Sequence, residues 1–295
     1  MNKSQLDKIM HAKGFIAALD QSGGSTPKAL LDYGISKNGY SNEEEMFDLM
    51  HAMRERIATS SCFESGKIFG AILFEQTMDR QISGMGSAEF LWEKKQIVPF
   101  LKIDKGLAEE VDGVQLMKPI PNLDALLERA KGHPIFGTKM RSVIHTDSQS
   151  GIAAVLDQQF DYAHTVLAAG FVPIIEPEVS VKSLEKEAAE ELLKAGIKQR
   201  LQTLPPGVQV MLKLSIPSVD GFYSELMRNV HILRVVALSG GYERSYACKL
   251  LAKNPGLSAS FSRALSQGLS VDQTDREFEA TLNATIDQIY RASIT

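Results

Sequence analysis

Eight short apolar runs recur along this chain of 295 residues, and their repetition limits the available folds more than any other feature. Segments of helical composition lie between the runs, and no low-complexity linker divides the chain. Buried strands that alternate with helices are typical of parallel sheets covered by helices. The runs are GFIAALD, KIFGAILFEQT, IVPFLKID, IFGTKMRSVI, FVPIIEPEV, VQVMLKLSI, ILRVVALSG and LSASFSRAL.

Eight such units predict an α/β protein, a parallel (β/α)8 TIM barrel, in which residues 1–295 form one domain. An open doubly wound sheet would give a similar pattern and is the alternative. Helix boundaries are predicted at a capping box formed by Ser41 and Glu44, and at Gly170, where GIAAVLDQQFDYAHTVLAAG stops.

Composition argues against several classes of function. The net charge of -4 and the isoelectric point near 5.9 give no general attraction to nucleic acids or membrane surfaces. Cys62 and Cys248 form neither a disulfide framework nor a metal-ligand pattern. The charged N-terminus is unlike a signal peptide, and no apolar run reaches the length of about 18 residues typical of a membrane span. We therefore expect a cytoplasmic protein that binds neither nucleic acid nor membranes, and its oligomeric state stays open.

A lysine interrupts the sixth apolar run. Lys213 stands in VQVMLKLSIP, whose aliphatic residues are typical of a strand buried on both faces. Lysines are almost never fully buried unless they are paired. Lys213 therefore has a partner, a function or both, unless its long stem carries the ammonium out of the barrel to water.

Further polar residues gather at the carboxyl ends of the predicted strands, where barrel enzymes place their active sites. Three pairs have a spacing of two, which puts both members on one face of a strand. Each pair alone has a structural explanation, such as an ion pair, but their convergence at one end of successive strands favours a functional centre. The strand ends carry Asp20, Glu75, Lys102 with Asp104, Lys139 with Arg141, Glu176 with Glu178, Lys213, Ser239 and Arg263.

This set of residues is suited to a lysine nucleophile. Desolvation and a nearby cation favour the neutral form of a lysine amine, and Lys139 is the available cation. A neutral Lys213 can attack a ketone to give a carbinolamine and then a Schiff base. Glu176 and Glu178 are candidates for the acid and base that this route needs, and Asp20 is a further carboxylate.

Two groups of residues have the donors that phosphate binding requires. One follows the seventh and eighth predicted strands, where barrels often bind phosphate, and the other combines the loop after the first strand with the third strand. Two phosphates on either side of a lysine that forms a Schiff base suggest a bisphosphorylated keto sugar as substrate. The first group is Ser239, Gly240, Gly241 and Arg263, and the second is Ser22, Ser25 and Lys102.

Taken together, the motifs resemble those of the class I fructose-bisphosphate aldolases, in their compact bacterial form. The resemblance covers nearly the whole chain. It implies a metal-independent lyase that uses no cofactor and cleaves fructose 1,6-bisphosphate reversibly to dihydroxyacetone phosphate and glyceraldehyde 3-phosphate in glycolysis and gluconeogenesis. The motifs, in order, are AALDQSGGSTPKAL, GAILFEQT, VPFLKIDKGL, FGTKMR, VPIIEPE, MLKLSIP, VVALSGGY and FSRAL.

The resemblance also implies a role for each matching residue. It makes Lys213 the Schiff-base residue, Glu176 the acid/base at the carbinolamine, and Asp20 the group at the C4 hydroxyl. Lys139 and Glu178 give electrostatic support, and Arg141 lies near the substrate. The C1 phosphate is assigned to Ser239, Gly240, Gly241 and Arg263, and the C6 end to Ser22, Ser25 and Lys102.

Three features depart from the longer members of this family. Gln21 stands where they have glutamate, and Ser262 stands where they have glycine before the phosphate arginine. They end in a mobile tail with a terminal tyrosine, whereas this chain ends IYRASIT and Tyr290 is predicted to lie in a terminal helix. Protonation of the enamine therefore has no assigned residue, and Glu176 is the candidate.

Other functions are alternatives to this one. A transaldolase would use the same Schiff base but would transfer the three-carbon unit to an acceptor sugar. An idle sugar-phosphate-binding barrel would be expected to lack Lys213, Glu176 or Asp20, all of which are present. A metal-dependent aldolase needs clustered histidine ligands, whereas the six histidines are scattered, and the phosphate-binding glycine motifs of nucleotide sites are missing.

Overall fold

The computed structural model describes residues 2–295 and contains a closed barrel of eight parallel strands. Neighbouring strands follow chain order, β8 pairs with β1, and β3 pairs with β4, so the circle is complete. This confirms the predicted (β/α)8 barrel and makes the open doubly wound alternative wrong. The strands are β1 (Phe15–Leu19), β2 (Ile68–Leu73), β3 (Val98–Lys102), β4 (Gly137–Ile144), β5 (Val172–Val179), β6 (Val210–Ser215), β7 (Ile232–Leu238) and β8 (Ser258–Phe261).

Helices precede and connect the strands. None within residues 2–295 is long and apolar enough to cross a membrane. A 3-10 turn (Lys37–Gly39) and a π-helical turn (Phe90–Lys94) accompany them. The α-helices are α1 (Lys3–His11), α2 (Thr26–Asp32), α3 (Glu43–Thr59), α4 (Glu75–Met78), α5 (Ser87–Glu89), α6 (Leu123–Lys131), α7 (Gln149–Ala168), α8 (Lys186–Leu201), α9 (Ser224–Met227), α10 (Arg244–Leu251), α11 (Arg263–Ser266) and α12 (Asp275–Ser293).

The start of α3 differs by one residue from the predicted capping box. The side chain of Asn42, not that of Ser41, accepts a hydrogen bond from the backbone N–H of Glu45 at 2.9 Å. The carboxylate of Glu45, not that of Glu44, accepts from the N–H of Ser41 at 2.6 Å. Asparagine and serine cap helices about equally well, so composition alone did not distinguish the two positions.

An antiparallel hairpin extends the sheet beside β4 and was not identified from the sequence. Its strands are Leu107–Val111 and Val114–Met117, and the second pairs with the end of β4. The turn residues Asp112 and Gly113 both have positive φ, of 53° and 68°. An Asp-Gly turn with this backbone is a strong hairpin signal. The flanking strand LAEEV is mostly exposed, so it lacks the continuous apolar run that marks the barrel strands.

The core has two apolar layers, one between the strands and the surrounding helices and one inside the barrel. The inner layer occupies the end of the barrel at which the strands begin. Helix α1 closes this end, since Ile9 packs into the inner layer and Arg234 donates to the carbonyl of Ala12 at 2.9 Å. The opposite, carboxyl end is therefore where the chain can reach a substrate. The inner layer includes Ile16, Ala18, Phe69, Phe100, Phe136, Ile174, Met211 and Val236.

Candidate active site

The carboxyl end of the barrel interior is lined by charged side chains. Residues two apart on a strand share a face, so a charged residue can stand directly above an apolar residue of the inner layer. Met211 and Lys213 on β6 form one such pair, and Ile174 and Glu176 on β5 form another. The charged side chains are only 2–7% exposed, which is unusual for lysine and carboxylate groups. They are Asp20, Lys102, Asp104, Lys139, Glu176 and Lys213.

Glu176 lies between two lysines at the centre of this set. Its Oε1 is 3.1 Å from Nζ of Lys213, and its Oε2 is 2.7 Å from Nζ of Lys139. Lys139 also donates to Oδ2 of Asp20 at 2.9 Å. Lys213 therefore has a buried partner and does not extend to water, so the snorkelling alternative does not hold. A continuous ionic chain joins β6, β5, β4 and the end of β1.

The ionic chain holds Asp20 and Lys139 in their charged forms. Burial is the largest influence on Asp20 and acts to raise its pKa, but the positive charges of Lys139, Lys213 and Lys102 together lower that pKa below its usual range. Burial likewise acts to lower the pKa of Lys139, but Asp20 and Glu176 raise it above its usual range. At neutral pH, Asp20 is therefore an anion and Lys139 a cation.

Lys102 lies beside the loop that follows β1. Its Nζ donates to Oδ1 of Asp104 at 2.7 Å and lies 3.4 Å from Oγ of Ser22. The hydroxyl of Ser25 accepts from the N–H of Ser22 at 3.1 Å, which folds the loop back on itself. The structure thus brings Ser22, Ser25 and Lys102 together. Lys102 and Asp104 also form the ion pair that would explain their presence on structural grounds alone.

Arg141 and Glu178 form a further ion pair, above the layer of buried charges. Nε of Arg141 lies 2.5 Å from Oε2 of Glu178, and the arginine side chain is more exposed than the carboxylate. Burial, the largest influence, opposes charge on Arg141, but Glu178 raises the pKa of the guanidinium above its usual range. The guanidinium is accordingly a permanent cation at the rim of the barrel.

The loop after β7 and the residue that opens α11 meet at the rim. Gly240 and Gly241 have φ values of 62° and 103°, which favour glycine. A Cβ on Gly241 would lie 3.3 Å from Nη2 of Arg263, and a Cβ on Gly240 would lie 2.4 Å from Val181. The predicted members of the first phosphate group, Ser239 among them, are therefore neighbours. Arg263 lies just beyond β8, and its side chain is exposed.

Sequence reasoning missed a buried glutamine that holds the backbone of Glu176. The ladder between β5 and β6 ends at Ile175 and Leu212, one residue before Glu176. The N–H of Glu176 instead donates to Oε1 of Gln159 on α7 at 2.8 Å. Gln159 is fully buried, and an amide inside an otherwise apolar helix face was the available signal.

Some predicted polar residues lie outside the centre. Glu75 opens α4 and pairs with Lys105 and Arg129, each at 2.5 Å. Tyr290 lies in α12, as predicted, and packs partly buried against the outer core. Within residues 2–295, no three histidine, cysteine, aspartate or glutamate side chains are arranged to hold a metal ion.

A buried lysine against a carboxylate, at the carboxyl end of a (β/α)8 barrel, is compatible with an enzyme that forms covalent imines. Residues 3–209 match the family model described as fructose-bisphosphate aldolase class-I. Two curated relatives named "Fructose-bisphosphate aldolase class 1" cover the whole chain. The protein of Clostridium acetobutylicum is 60% identical over 295 residues, and that of Porphyromonas gingivalis is 56% identical over 294, each match spanning 100% of the relative. The chain belongs to the class I fructose-bisphosphate aldolase family.

A third relative and a solved structure agree with this assignment. The Synechocystis protein of the same name is 55% identical over 294 residues, which is 98% of its length. A crystal structure of fructose-bisphosphate aldolase from Plasmodium falciparum, in complex with TRAP and a small molecule inhibitor, has a TM-score of 0.71 at 22% identity. It covers 98% of this chain and 92% of its own, and at this identity it supports the fold alone.

Proposed function

We propose that this protein cleaves fructose 1,6-bisphosphate reversibly to dihydroxyacetone phosphate and glyceraldehyde 3-phosphate, with Lys213 as the residue that bonds to the substrate. The observation that carries the proposal is the contact of 3.1 Å between Nζ of Lys213 and Oε1 of Glu176 inside the barrel mouth. An imine-forming amine must lose a proton before it attacks a carbonyl, and this contact places a proton acceptor beside it.

Glu176 moves protons during formation of the imine. Its Oε1 takes a proton from Lys213, and the neutral amine adds to the C2 carbonyl to give a carbinolamine. The protonated carboxyl then returns its proton to the C2 hydroxyl, which leaves as water when the C–N double bond forms. Lys139, at 2.7 Å from Oε2, stabilises the carboxylate form of Glu176 before it takes the proton and after it returns it. Glu176 is also our candidate for protonation of the enamine.

Asp20 acts on the C4 hydroxyl. Carbon–carbon cleavage requires removal of the C4 hydroxyl proton while the imine draws electrons from the C3–C4 bond. Asp20 directly follows β1, and the contact with Lys139 holds it as an anion. It therefore supplies a second carboxylate base, which shares Lys139 as a partner with Glu176. Glu178 and Arg141 complete the electrostatic surroundings at the rim.

The two phosphates bind to two separate groups of residues at the rim of this centre. Arg263, with Ser239, Gly240 and Gly241, takes the C1 phosphate, because the two loops meet and the arginine is exposed. Ser22, Ser25 and Lys102 take the C6 end. The hydroxyl of Ser22 is within 3.4 Å of the Lys102 ammonium, so an anion can contact both.

The chemistry assigned to these residues calls for no metal or separate cofactor. Purified protein incubated with fructose 1,6-bisphosphate alone should release both triose phosphates, and this release should survive a strong chelator. Complete loss of activity that zinc restores would show a metal enzyme instead. Release that occurs only after an acceptor aldose is added would favour a transaldolase.

Three further expectations are retained as proposals. Residues 1–295 form a single domain, the partners are phosphorylated ketoses and trioses and include neither nucleic acids nor membranes, and the enzyme works in the cytoplasm. The free, buried state of Cys62 and Cys248 is compatible with a reducing compartment.

A further inference from the structure

Asp20 and Arg263 follow the neighbouring strands β1 and β8, at positions beyond the last backbone pairing between these two strands. The ladder between β1 and β8 pairs Ile16 with Ser260 and Ala17 with Phe261, and it ends there. Asp20 lies three residues beyond Ala17, and Arg263 lies two residues beyond Phe261. Some other contact must set the distance between these two side chains.

A side-chain hydrogen bond joins the two ends beyond the ladder. Nε2 of Gln21 donates to Oγ of Ser262 at 2.9 Å. Gln21 directly follows Asp20, and Ser262 directly precedes Arg263.

A buried arginine fixes the first of these partners. Nη2 of Arg54 on α3 donates to both the backbone carbonyl and Oε1 of Gln21, at 2.5 and 3.3 Å, and Nη1 donates to Oγ1 of Thr77 at 2.7 Å. Because Arg54 binds the side-chain oxygen of Gln21, the side-chain nitrogen of Gln21 points to Ser262. Burial, opposed by the charge of Asp20, lowers the pKa of Arg54 to about 9, as expected for a guanidinium whose hydrogen-bond partners are neutral.

We propose that Arg54, Gln21 and Ser262 form a positioning chain that sets the span between Asp20 and Arg263. Under the proposed function, on which this inference rests, that span separates the base at the C4 hydroxyl from the cation at the C1 phosphate. In this proposal the positioning chain itself contacts neither the C4 hydroxyl nor the C1 phosphate of the substrate. Its contribution is to hold the end of β8 in place before the phosphate arrives, which reduces the ordering cost of binding.

The experiment compares two variants of nearly equal shape. Ser262→Thr keeps the hydroxyl, whereas Ser262→Val replaces it with a methyl group. The readout is the concentration of dihydroxyacetone phosphate that half-saturates borohydride trapping on Lys213. Loss of one neutral hydrogen bond should raise that concentration about two- to tenfold in Ser262→Val, while Ser262→Thr stays within about twofold of the wild type. The trapping rate at saturation should be the same in all three.

Two additional variants guard against misfolding and test the coupling. Ser262→Ala removes the hydroxyl at a half-buried site with little change of volume and should behave like Ser262→Val. Gln21→Met removes the donor, and adding Ser262→Val to it should weaken binding no further. Equal half-saturation in the valine, alanine and threonine variants, even with a lowered melting temperature, would overturn the proposal, as would fully additive losses. Wild-type protein that forms no adduct at all would refute the proposed function instead.

Discussion

The same strands line both ends of the barrel interior, but their inward side chains are apolar at one end and charged at the other. On β6, Met211 packs in the apolar layer closed by α1, and Lys213, two residues later on the same face, joins the ionic chain. On β5, Ile174 and Glu176 show the same change from apolar to charged. A barrel built only for stability would continue the apolar filling, because buried ion pairs rarely repay their desolvation. The charged layer is therefore best explained by chemistry, and the apolar layer by stability.

Lys213→Met should have the largest effect of any single change. It extends the apolar filling of β6 by one layer, and Glu176 keeps Lys139 as a partner at 2.7 Å, so no carboxylate is left alone. We expect activity to fall to background while the cooperative thermal transition persists. Borohydride with dihydroxyacetone phosphate should label the wild type at Lys213 alone, as read by mass spectrometry. An active variant, with label on Lys102 or Lys139, would move the catalytic centre to another strand.

Glu176→Gln and Asp20→Asn should slow different steps, each by about a hundredfold to ten-thousandfold. Glu176 contacts the amine of Lys213, the proposed nucleophile, so its loss should slow formation and hydrolysis of the imine more than carbon–carbon cleavage. Asp20 contacts Lys139 and not the amine of Lys213, so its loss should slow cleavage. Single-turnover kinetics with trapping of the covalent adduct separate the two steps. Normal imine formation in Glu176→Gln, with none in Asp20→Asn, would exchange the two roles.

The strand positions could be predicted from the sequence because each barrel strand leaves a local apolar run. The placement of Glu176 beside Lys213 could also be predicted, because β5 and β6 are consecutive and both residues lie near strand ends. The contact between Asp20 and Lys139 did not follow from any local pattern. It joins residues 119 positions apart and arises only when the sheet closes.

Supporting residues on helices were harder to predict than those on strands. Gln159 lies on the buried face of α7, and Arg54 lies on the buried face of α3. No local sequence motif distinguishes either residue from its neighbours in the helix. Their hydrogen bonds to the backbone at Glu176 and Gln21 depend on how the helices pack on the barrel. Sequence periodicity gives the buried face of a helix, but not the carbonyl or amide that a polar group on that face will meet.

Met211→Ala tests the apolar side of the comparison. Met211 is fully buried two residues before Lys213, and truncation of such a side chain costs about 2–5 kcal/mol of unfolding free energy. Chemical denaturation should show this loss, while kcat in the absence of denaturant stays within a few-fold of the wild type because the ionic chain is untouched. A large loss of kcat at unchanged stability would show that the two layers are not separable.

Arg263→Ala should weaken binding of the C1 phosphate about ten- to a hundredfold, since a hydrogen bond to a charged group is worth roughly 1.5–3 kcal/mol. The exposed side chain at the rim predicts little effect on stability. Arg228→Ala is the matched control, because Arg228 is also exposed but precedes β7 at the opposite end of the barrel. Affinity for dihydroxyacetone phosphate is the measurement. An unchanged value in Arg263→Ala would remove this arginine from the site.

The acid dependence of stability should show the smallest effect, and it belongs to the charged layer alone. In the folded protein the lysines around Asp20, led by Lys139, depress its pKa, whereas an aspartate in the unfolded chain has a pKa of about 3.9. A carboxylate with a depressed folded pKa contributes stability above the unfolded value and loses that contribution as pH falls toward the folded one. The difference in unfolding free energy between the wild type and Asp20→Asn should therefore be constant near neutrality and shrink below about pH 4.

Met211→Ala is the control, because it changes no charge. Its unfolding free energy should differ from that of the wild type by the same amount across the whole pH range. Denaturation series between pH 3 and 7 make the measurement. A constant difference for Asp20→Asn down to the lowest pH would show that Asp20 gains nothing from its lysines.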